Sequence, residues 1–525
     1  MIKSSFIPPG SYTREKFVSD LGSIFFLKEE DPTFVKLHIY DTFDWRLYNH
    51  SLSLYRFGDW LYLYHLEEGQ IIWSDGAQEI PSFVQDMPAG TLREHLEPVA
   101  GIRAMLKPVS GRIDAYSYRV LNEDEKTTAR VRFESFQGDG SEPGQLIVYI
   151  RLIPLRGYQS SYANLEKYFK ERGFLEGSGG NLYYAFMETA GKKPGEYTTR
   201  LDIQLDREMR SDDALRVILR FLLEVMRKNE PGIKEDIDSE FLHDYRVSIR
   251  RARSALSQMK GVFPSDSTAR FREEFDRFGE LTNSLRDLDV YLLKEDQYRD
   301  VLPPDLKSDL DPFFAYLKGK RQSELRAVTC FLESDDYRTG IAAYKKFLDE
   351  KTANSQDAPI AGKLVYELAK ESIYKRYERV LKKGGAAKRS LDEADLHRLR
   401  IDCKKLRYLI EFFASLFDPG DIARLLKQLR RLQDNLGDFN DVCVQVGYLM
   451  DISQELADGE RTNTRTLLAI GCLIGSLEKS KGEYKDEFIK VYKKFSSPKN
   501  RILYGDLFQP VEEEYHSDNP GSIQQ

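Results

Sequence analysis

Two stretches of this chain, FLHDYRVSIRRARSALSQMKGVF at 241–263 and DLHRLRIDCKKLRYLIEFFASLF at 395–417, repeat one another's chemistry position by position. Each reads His, Arg three residues on, a basic pair at seven and eight, and Arg at ten: His243, Arg246, Arg250, Arg251 and Arg253 against His397, Arg400, Lys404, Lys405 and Arg407. At about 100° per residue in a helix, offsets of zero, three, seven and ten fall within an arc of roughly 80°. One edge of each helix is therefore cationic. Leu242, Tyr245, Ile249, Ala252, Leu256 and Met259 in one copy, and Leu396, Leu399, Cys403, Leu406, Ile410 and Phe413 in the other, fill the adjoining arc as a core face.

Like charges at helical neighbour spacing cost a few tenths of a kcal/mol per pair, and neither copy places a carboxylate among its matched basic positions. One such cluster reads as a solvated face. Its duplication in register, histidine included, reads as a site for an anion with many charges, and Arg suits phosphate because its planar fork binds oxygens two at a time. A metal site is not expected, since the cations around each His repel a divalent ion and further ligands are lacking. A histidine base would be helped by an orienting acid, and Asp244 points about 100° away from His243. Phosphate contact is the expectation for both histidines, with a buried structural role as the alternative.

The two stretches resemble the signature helices of the CHAD domain, the conserved histidine alpha-helical domain. The family pattern is close to His-x-x-Arg-Val-x-x-Arg-Arg-x-Arg in one half and His-x-x-Arg-Ile-x-x-Lys-x-Leu-Arg-Tyr in the other. Leu285-Arg286-Asp287-Leu288-Asp289-Val290 and Leu436-Gly437-Asp438-Phe439-Asn440-Asp441 are similar to its later segments. The resemblance spans roughly 205–500 and implies an all-α, internally duplicated pair of four-helix bundles, with a basic channel between them that binds inorganic polyphosphate. Flanking helices add candidates for the same ligand: Arg216 and Arg220, Lys370 opposite Arg216 when the histidines are aligned, Arg286, and Lys427, Arg430 and Arg431.

Net charge is −7 over 525 residues, so the molecule is not a generic nucleic-acid binder and any anion site must be a local concentration of charge. Sequence-specific nucleic-acid binding is not expected, because Tyr245 and Tyr408 are the only aromatic neighbours of the basic residues and Tyr245 falls on the core face. Cys330, Cys403, Cys443 and Cys472 lack metal-ligand spacing and read as reduced core residues. No signal peptide or membrane-length apolar run is found, so the expected address is the cytoplasm, extending to polyphosphate granules.

Residues 1 to about 175 differ. Runs such as LSLYRF, WLYLYHL, ARVRFESF and QLIVYIRLI read as short antiparallel strands, Tyr162 to Arg172 as a helix and LYYAFM as a last strand. Tyr40-Asp41-Thr42-Phe43-Asp44-Trp45-Arg46-Leu47 resembles the Tyr-x-Asp-Thr-Pro segment of the CYTH family, the triphosphate tunnel fold, which is often fused ahead of CHAD. That family's Glu-x-Glu-x-Lys is missing before Asp41, and LIVYIR at 146–151 lacks the further glutamates. Without carboxylates to hold magnesium, the tunnel is read as degenerate and the protein as no enzyme, with no cofactor. Arg56, Lys107, Arg112, Arg119, Arg130 and Arg132 either line a barrel or form a wet face.

The expected organisation is α+β: an antiparallel β-barrel-like CYTH-type domain at 1–200, a CHAD domain at 205–500 with halves at about 205–355 and 360–500, and a tail at 501–525, read as frayed with docking of Ile502, Leu503, Tyr504 and Phe508 as the alternative. Ser211 and Asp212 are placed to cap the first helix of the CHAD region, Pro303 to Asp357 reads as helices ending in a soft linker, and Gly471 and Gly475 would permit close helix packing. The functional expectation is a polyphosphate binder, or a binder of a similar polyanion, with no membrane partner. The alternative is a metal-dependent triphosphatase or polyphosphatase acting in the N-terminal tunnel.

Overall fold

The computed structural model describes residues 4–76, 79–139, 146–177, 179–351, 356–457 and 464–510, without the side chains of 179–181. The soft linker that ends at Asp357 and the tail lie partly outside the described residues. The chain divides into two units, Met1–Thr198 and Thr199–Gln525.

The first unit is an antiparallel sheet of β1 (Ser4–Ile7), β2 (Phe26–Glu29), β3 (Thr33–Asp41), β4 (Leu52–Phe57), β5 (Trp60–His65), β6 (Gln70–Gly76), β7 (Leu106–Leu121), β8 (Thr127–Gly138), β9 (Ile147–Pro154) and β10 (Leu175–Gly177). Their order is β10-β1-β9-β8-β7-β3-β4-β5-β6, with β2 paired to the C-terminal part of β7. Ile71 of β6 and Glu176 of β10, from opposite edges, line one cavity, so the sheet curls into a half-barrel. No ladder joins those edges among the described residues.

Helices α1 (Arg14–Gly22), α2 (Arg46–Asn49), α3 (Thr91–Ala100), α4 (Gln159–Glu171) and α5 (Gly179–Thr189) complete this unit. Strand alternation sends Leu52, Leu54 and Leu63 under α2 and α3, while Phe6, Val131, Ile150 and Leu152 pack with Phe17 and Phe169 of α1 and α4. LYYAFM, expected as a strand, lies in α5: its apolar residues follow a helical period, with Tyr183, Phe186 and Met187 buried. The turn Tyr40 to Leu47 is organised by Asp41, whose buried carboxylate accepts from the backbone N–H groups of Thr42, Leu47 and Tyr48. The six basic strand residues divide. Arg112 pairs with Asp114, Arg119 and Arg130 share Glu30, Lys107 lies over the Tyr40 ring and Arg56 reaches the Gly58 carbonyl, while Arg132 lines the cavity.

The second unit is all helical: α6 (Ser211–Lys234), α7 (Ser239–Gln258), α8 (Ser265–Leu281), α9 (Asn283–Leu293), α10 (Glu295–Asp300), α11 (Asp311–Glu333), α12 (Asp335–Asp349), α13 (Val365–Ser390), α14 (Glu393–Phe412), α15 (Pro419–Ala457), α16 (Thr464–Phe495) and α17 (Pro498–Phe508). The duplicated stretches form α7 and α14, and both begin alike: Asp238 and Asp392, each five residues before its histidine, accept from backbone N–H groups of the first turn. All twelve apolar residues expected on the core faces of these helices are buried. Ser211 and Asp212 do not cap α6. They are its first residues, Ser211 donating to the Lys363 carbonyl and Asp212 pairing with Arg210.

Packing between elements adds further detail. The two halves pack on one another: Leu288, Tyr298 and Phe313 share one core with Leu449, Ile452 and Ile470, and Tyr291 stacks on Tyr448 at 4.2 Å. The length of α15 and α16, at 39 and 32 residues, carries their ends onto the first half. Residues 501–508, expected as tail, are helical: Tyr504 and Phe508, one turn apart, are buried, with Tyr504 stacked on Tyr377 at 3.7 Å. Gly471 and Gly475 face open space, whereas Gly384 lies against the Tyr492 ring and Gly232 against Phe241. All four cysteines are free, but only Cys403 is buried; Cys330 and Cys472 are exposed. Among the described residues no helix is long and apolar enough to cross a membrane.

Candidate functional site

The site is built where α7 passes α14. Arg251 Nη2 pairs with Glu411 at 2.9 Å, and Gln258 Nε2 donates to the Lys405 carbonyl at 3.2 Å. Residue numbers rise along one helix as they fall along the other, so the two pass antiparallel. That passage brings Arg250 from the first copy beside Arg400 and Lys404 from the second. Burial, then Arg400, then Arg250 push the Lys404 ammonium down to about 8, and burial and Arg250 also lower Arg400 against the pull of Asp441. Within its own half Arg250 acts likewise on Arg246, Arg253 and Arg286, behind burial in each case. Five cations from three helices, α7, α9 and α14, thus share one neighbour.

Carboxylates from other helices offset part of this charge. Arg253 pairs with Asp276, Arg400 with Asp441 at 3.3 Å, and Arg286 with Glu240 at 3.8 Å while donating to the Ser239 carbonyl. Arg246 donates to the Gly279 carbonyl at 2.8 Å, to Thr282 Oγ1 and to Asn283 Oδ1, closing the C-terminal end of α8 where the helix dipole favours a cation. Arg250 and Lys404 form no ion pair among the described residues. Arg246, Arg250 and Arg253 face a cavity of about 250 Å³ closed by Asp276, Glu280 and Asn283. His397 Nδ1 lies 2.7 Å from Asn440 Oδ1, which orients the ring. His243 is half-buried on the corresponding edge of α7.

Several expected site residues are occupied elsewhere. Arg216 is 5% exposed, donates to the Phe347 carbonyl at 2.8 Å and lies over the Phe263 ring. Arg220 donates to the Leu348 carbonyl at 2.5 Å and pairs with Asp349. Both therefore serve the C-terminal end of α12 rather than the cationic edges of α7 and α14. Lys370 sits over the Tyr366 ring, 5.5 Å from its centroid. Arg251 donates to the Thr199 carbonyl besides Glu411, and Arg407 pairs with the same Glu411 at 2.6 Å. Position eight of the repeat is rotated about 100° from position seven, which turns Arg251 and Lys405 off the edge that carries Arg250 and Lys404. Lys405 instead joins Arg376, Arg379 and Lys383 around Asp402. Lys427, Arg430 and Arg431 are exposed on α15, Arg430 one turn before Gln433, which Arg407 reaches at 3.5 Å.

Sequence reasoning missed the Asp402 cluster and the carboxylates Asp276, Asp287 and Asp441. The cluster was detectable by aligning the copies, since Ser248 stands where the second copy has Asp402. The carboxylates come from other helices, and no pattern within α7 or α14 contains them. Tyr245 is fully buried, its hydroxyl 3.2 Å from that of Tyr337, and so offers no stacking surface to a nucleobase. Among the described residues no three His, Cys, Asp or Glu side chains gather as a metal site would require.

An antiparallel pair of matched cationic helices in an internally duplicated helical region defines the class of protein structurally. Residues 217–449 match the family model of the CHAD domain, and the chain carries a CHAD domain in its helical unit. Among solved structures, the CHAD domain from the plant Ricinus communis is similar at 23% identity, covering 57% of this chain and 96% of that one, with a TM-score of 0.48. PptA from Streptomyces chartreusis is similar at 13% identity, covering 54% of this chain and 100% of that one, with a TM-score of 0.43. No curated protein matches the chain.

Proposed function

We propose that the helical unit binds inorganic polyphosphate along the groove beside the α7–α14 passage, as a non-catalytic holder of the polymer in the cytoplasm. The CHAD domain is associated with polyphosphate binding. The observation that carries the reading is the approach of Arg250 to Arg400 and Lys404 from the other copy, with Arg250 and Lys404 in no ion pair among the described residues and Asp441 acting on Lys404 only at longer range. Half-buried like charges that Asp441 offsets only in part oppose folding; a polyanion threaded between them reverses the sign of that interaction and raises the Lys404 pKa again. Repeating phosphates at regular spacing match cations repeated along two helix edges, and base identity plays no part.

The test is a titration of the full chain with long-chain polyphosphate, tripolyphosphate and single-stranded RNA at several salt concentrations. Long-chain polyphosphate is expected to bind tightest, with an affinity that falls steeply as salt screens the groove. RNA binding as tightly as polyphosphate at every salt concentration would overturn the reading.

A further inference from the structure

The concave side of the sheet unit encloses a cavity of about 860 Å³, within the range of roughly 300–1,000 Å³ typical of small-molecule sites. Its wall is set by strand register. Tyr55 stands directly opposite Tyr62, and Phe57 opposite Trp60, so two aromatic rungs lie side by side on β4 and β5. Across the cavity, β8 and β9 place Arg132 directly opposite Arg151. Two arginines facing each other in a ladder repel, and the fold tolerates them through Glu134, which is fully buried, 2.8 Å from Arg151 and 3.8 Å from Arg132. Arg132 also donates from Nε to Ser117 Oγ, and Arg151 lies 5.9 Å from the Phe57 ring centroid.

The charge count sets the ligand class. Two guanidinium groups against one carboxylate leave a single positive charge, and the other carboxylate at the rim, Glu176, pairs with Lys170 at 3.3 Å. A triphosphate, with about four negative charges, would meet one net cation and a wall of rings and aliphatic side chains, so most of its charge would be desolvated without a partner. A monoanion with a flat apolar body fits both halves of the cavity: rings prefer offset or edge contact with other rings, and a carboxylate accepts from arginine two bonds at a time.

We propose that the concave face of the sheet unit is a binding site for a small aromatic carboxylate, its ring against the Tyr55–Tyr62 and Phe57–Trp60 rungs and its carboxylate on Arg132 and Arg151. This site is independent of the polyphosphate groove and needs no metal.

The experiment titrates the full chain with 2-naphthoate, read by quenching of intrinsic tryptophan fluorescence and by calorimetry. Saturable binding at one molecule per chain is expected. The neutral 2-naphthamide, and the variant Arg132→Met with 2-naphthoate, are each expected to bind about ten-fold more weakly, the usual worth of one charge-assisted hydrogen bond. Tyr62→Leu keeps bulk but removes a ring and is expected to weaken binding about three-fold. Circular dichroism and unchanged polyphosphate binding report that the variants are folded. Absence of saturable binding, equal affinity for the amide, undiminished affinity in folded Arg132→Met, or displacement of naphthoate by equimolar tripolyphosphate would each overturn the proposal.

Discussion

Arg250 on α7 and Lys404 on α14 occupy the same position in the two copies of the repeat, and Arg250 is among the charges that depress the Lys404 ammonium to about 8. Neither forms an ion pair among the described residues. The pair is the point at which the duplication acquires a physical consequence, since equivalent residues of the two copies act on one another where their helices pass.

Charge reversal of both residues, Arg250→Glu with Lys404→Glu, is expected to abolish polyphosphate binding while leaving helicity intact. Single neutral variants should weaken binding about ten-fold each at low salt, and less as salt rises. Titration at two salt concentrations, with far-ultraviolet circular dichroism alongside, checks this; a doubly reversed protein binding like the parent would place the ligand elsewhere.

Lys404 also predicts a pH dependence. Its folded pKa lies near 8 against about 10.4 in an unfolded chain, so below pH 8 the folded state carries the full cost of the buried charge. Between about pH 8 and 10.4 the unfolded chain holds more protons, and this group's contribution makes stability rise with pH. Ligand binding runs the opposite way. Polyphosphate favours the protonated amine, so its affinity should fall as pH rises through 8, with proton uptake visible when calorimetry is repeated in buffers of different ionisation enthalpy. Lys404→Arg should flatten that profile.

Arg251 and Arg216 are expected to matter for stability and not for the ligand. Arg251→Met removes the bond to the Thr199 carbonyl and the pair with Glu411, and Arg216→Met removes the bond to the Phe347 carbonyl. Each should cost about 2 kcal/mol, measured by urea unfolding, with polyphosphate affinity within about two-fold of the parent, the scatter of a change with no ligand contact.

Two glycines of the second half should respond in opposite directions. A methyl group at Gly384 runs into the Tyr492 ring, so Gly384→Ala should destabilise by about 2 kcal/mol. Gly471 is exposed on α16 with nothing near it, so Gly471→Ala should stabilise by up to about 1 kcal/mol through helix propensity. Paired denaturation curves separate the two.

The helical half was largely legible in the chain. A face of Leu242, Tyr245 and Ile249 repeated as Leu396, Leu399 and Cys403 identifies its buried side by period alone, and the structure buries every member. The surroundings of the cationic edges were legible only in part. Arg250 lies near Arg400 and Lys404 of the other copy, but Arg216 and Arg220 went to the end of α12, and Arg251 and Arg407 to Glu411. An arginine's stem reaches several ångströms, so helix phase sets its direction and the neighbouring element decides what the guanidinium meets. In the sheet half, LYYAFM misled because short apolar runs suit either a strand or a helix, and packing against Phe136 and Tyr149 settled it as α5.

The one-dimensional pattern alone determined the duplication, the amphipathic phase of α7 and α14 and the division into a strand-rich and a helical part, because these depend on local periodicity and on residues within one element. Tertiary structure alone decided which cations face one another, which are neutralised by Asp276, Asp441 or Glu411, and how the sheet curls until Arg132 and Arg151 look across at an aromatic wall. Charge and dispersion act through space over a few ångströms, and partners far apart in the chain come that close only once the elements have packed.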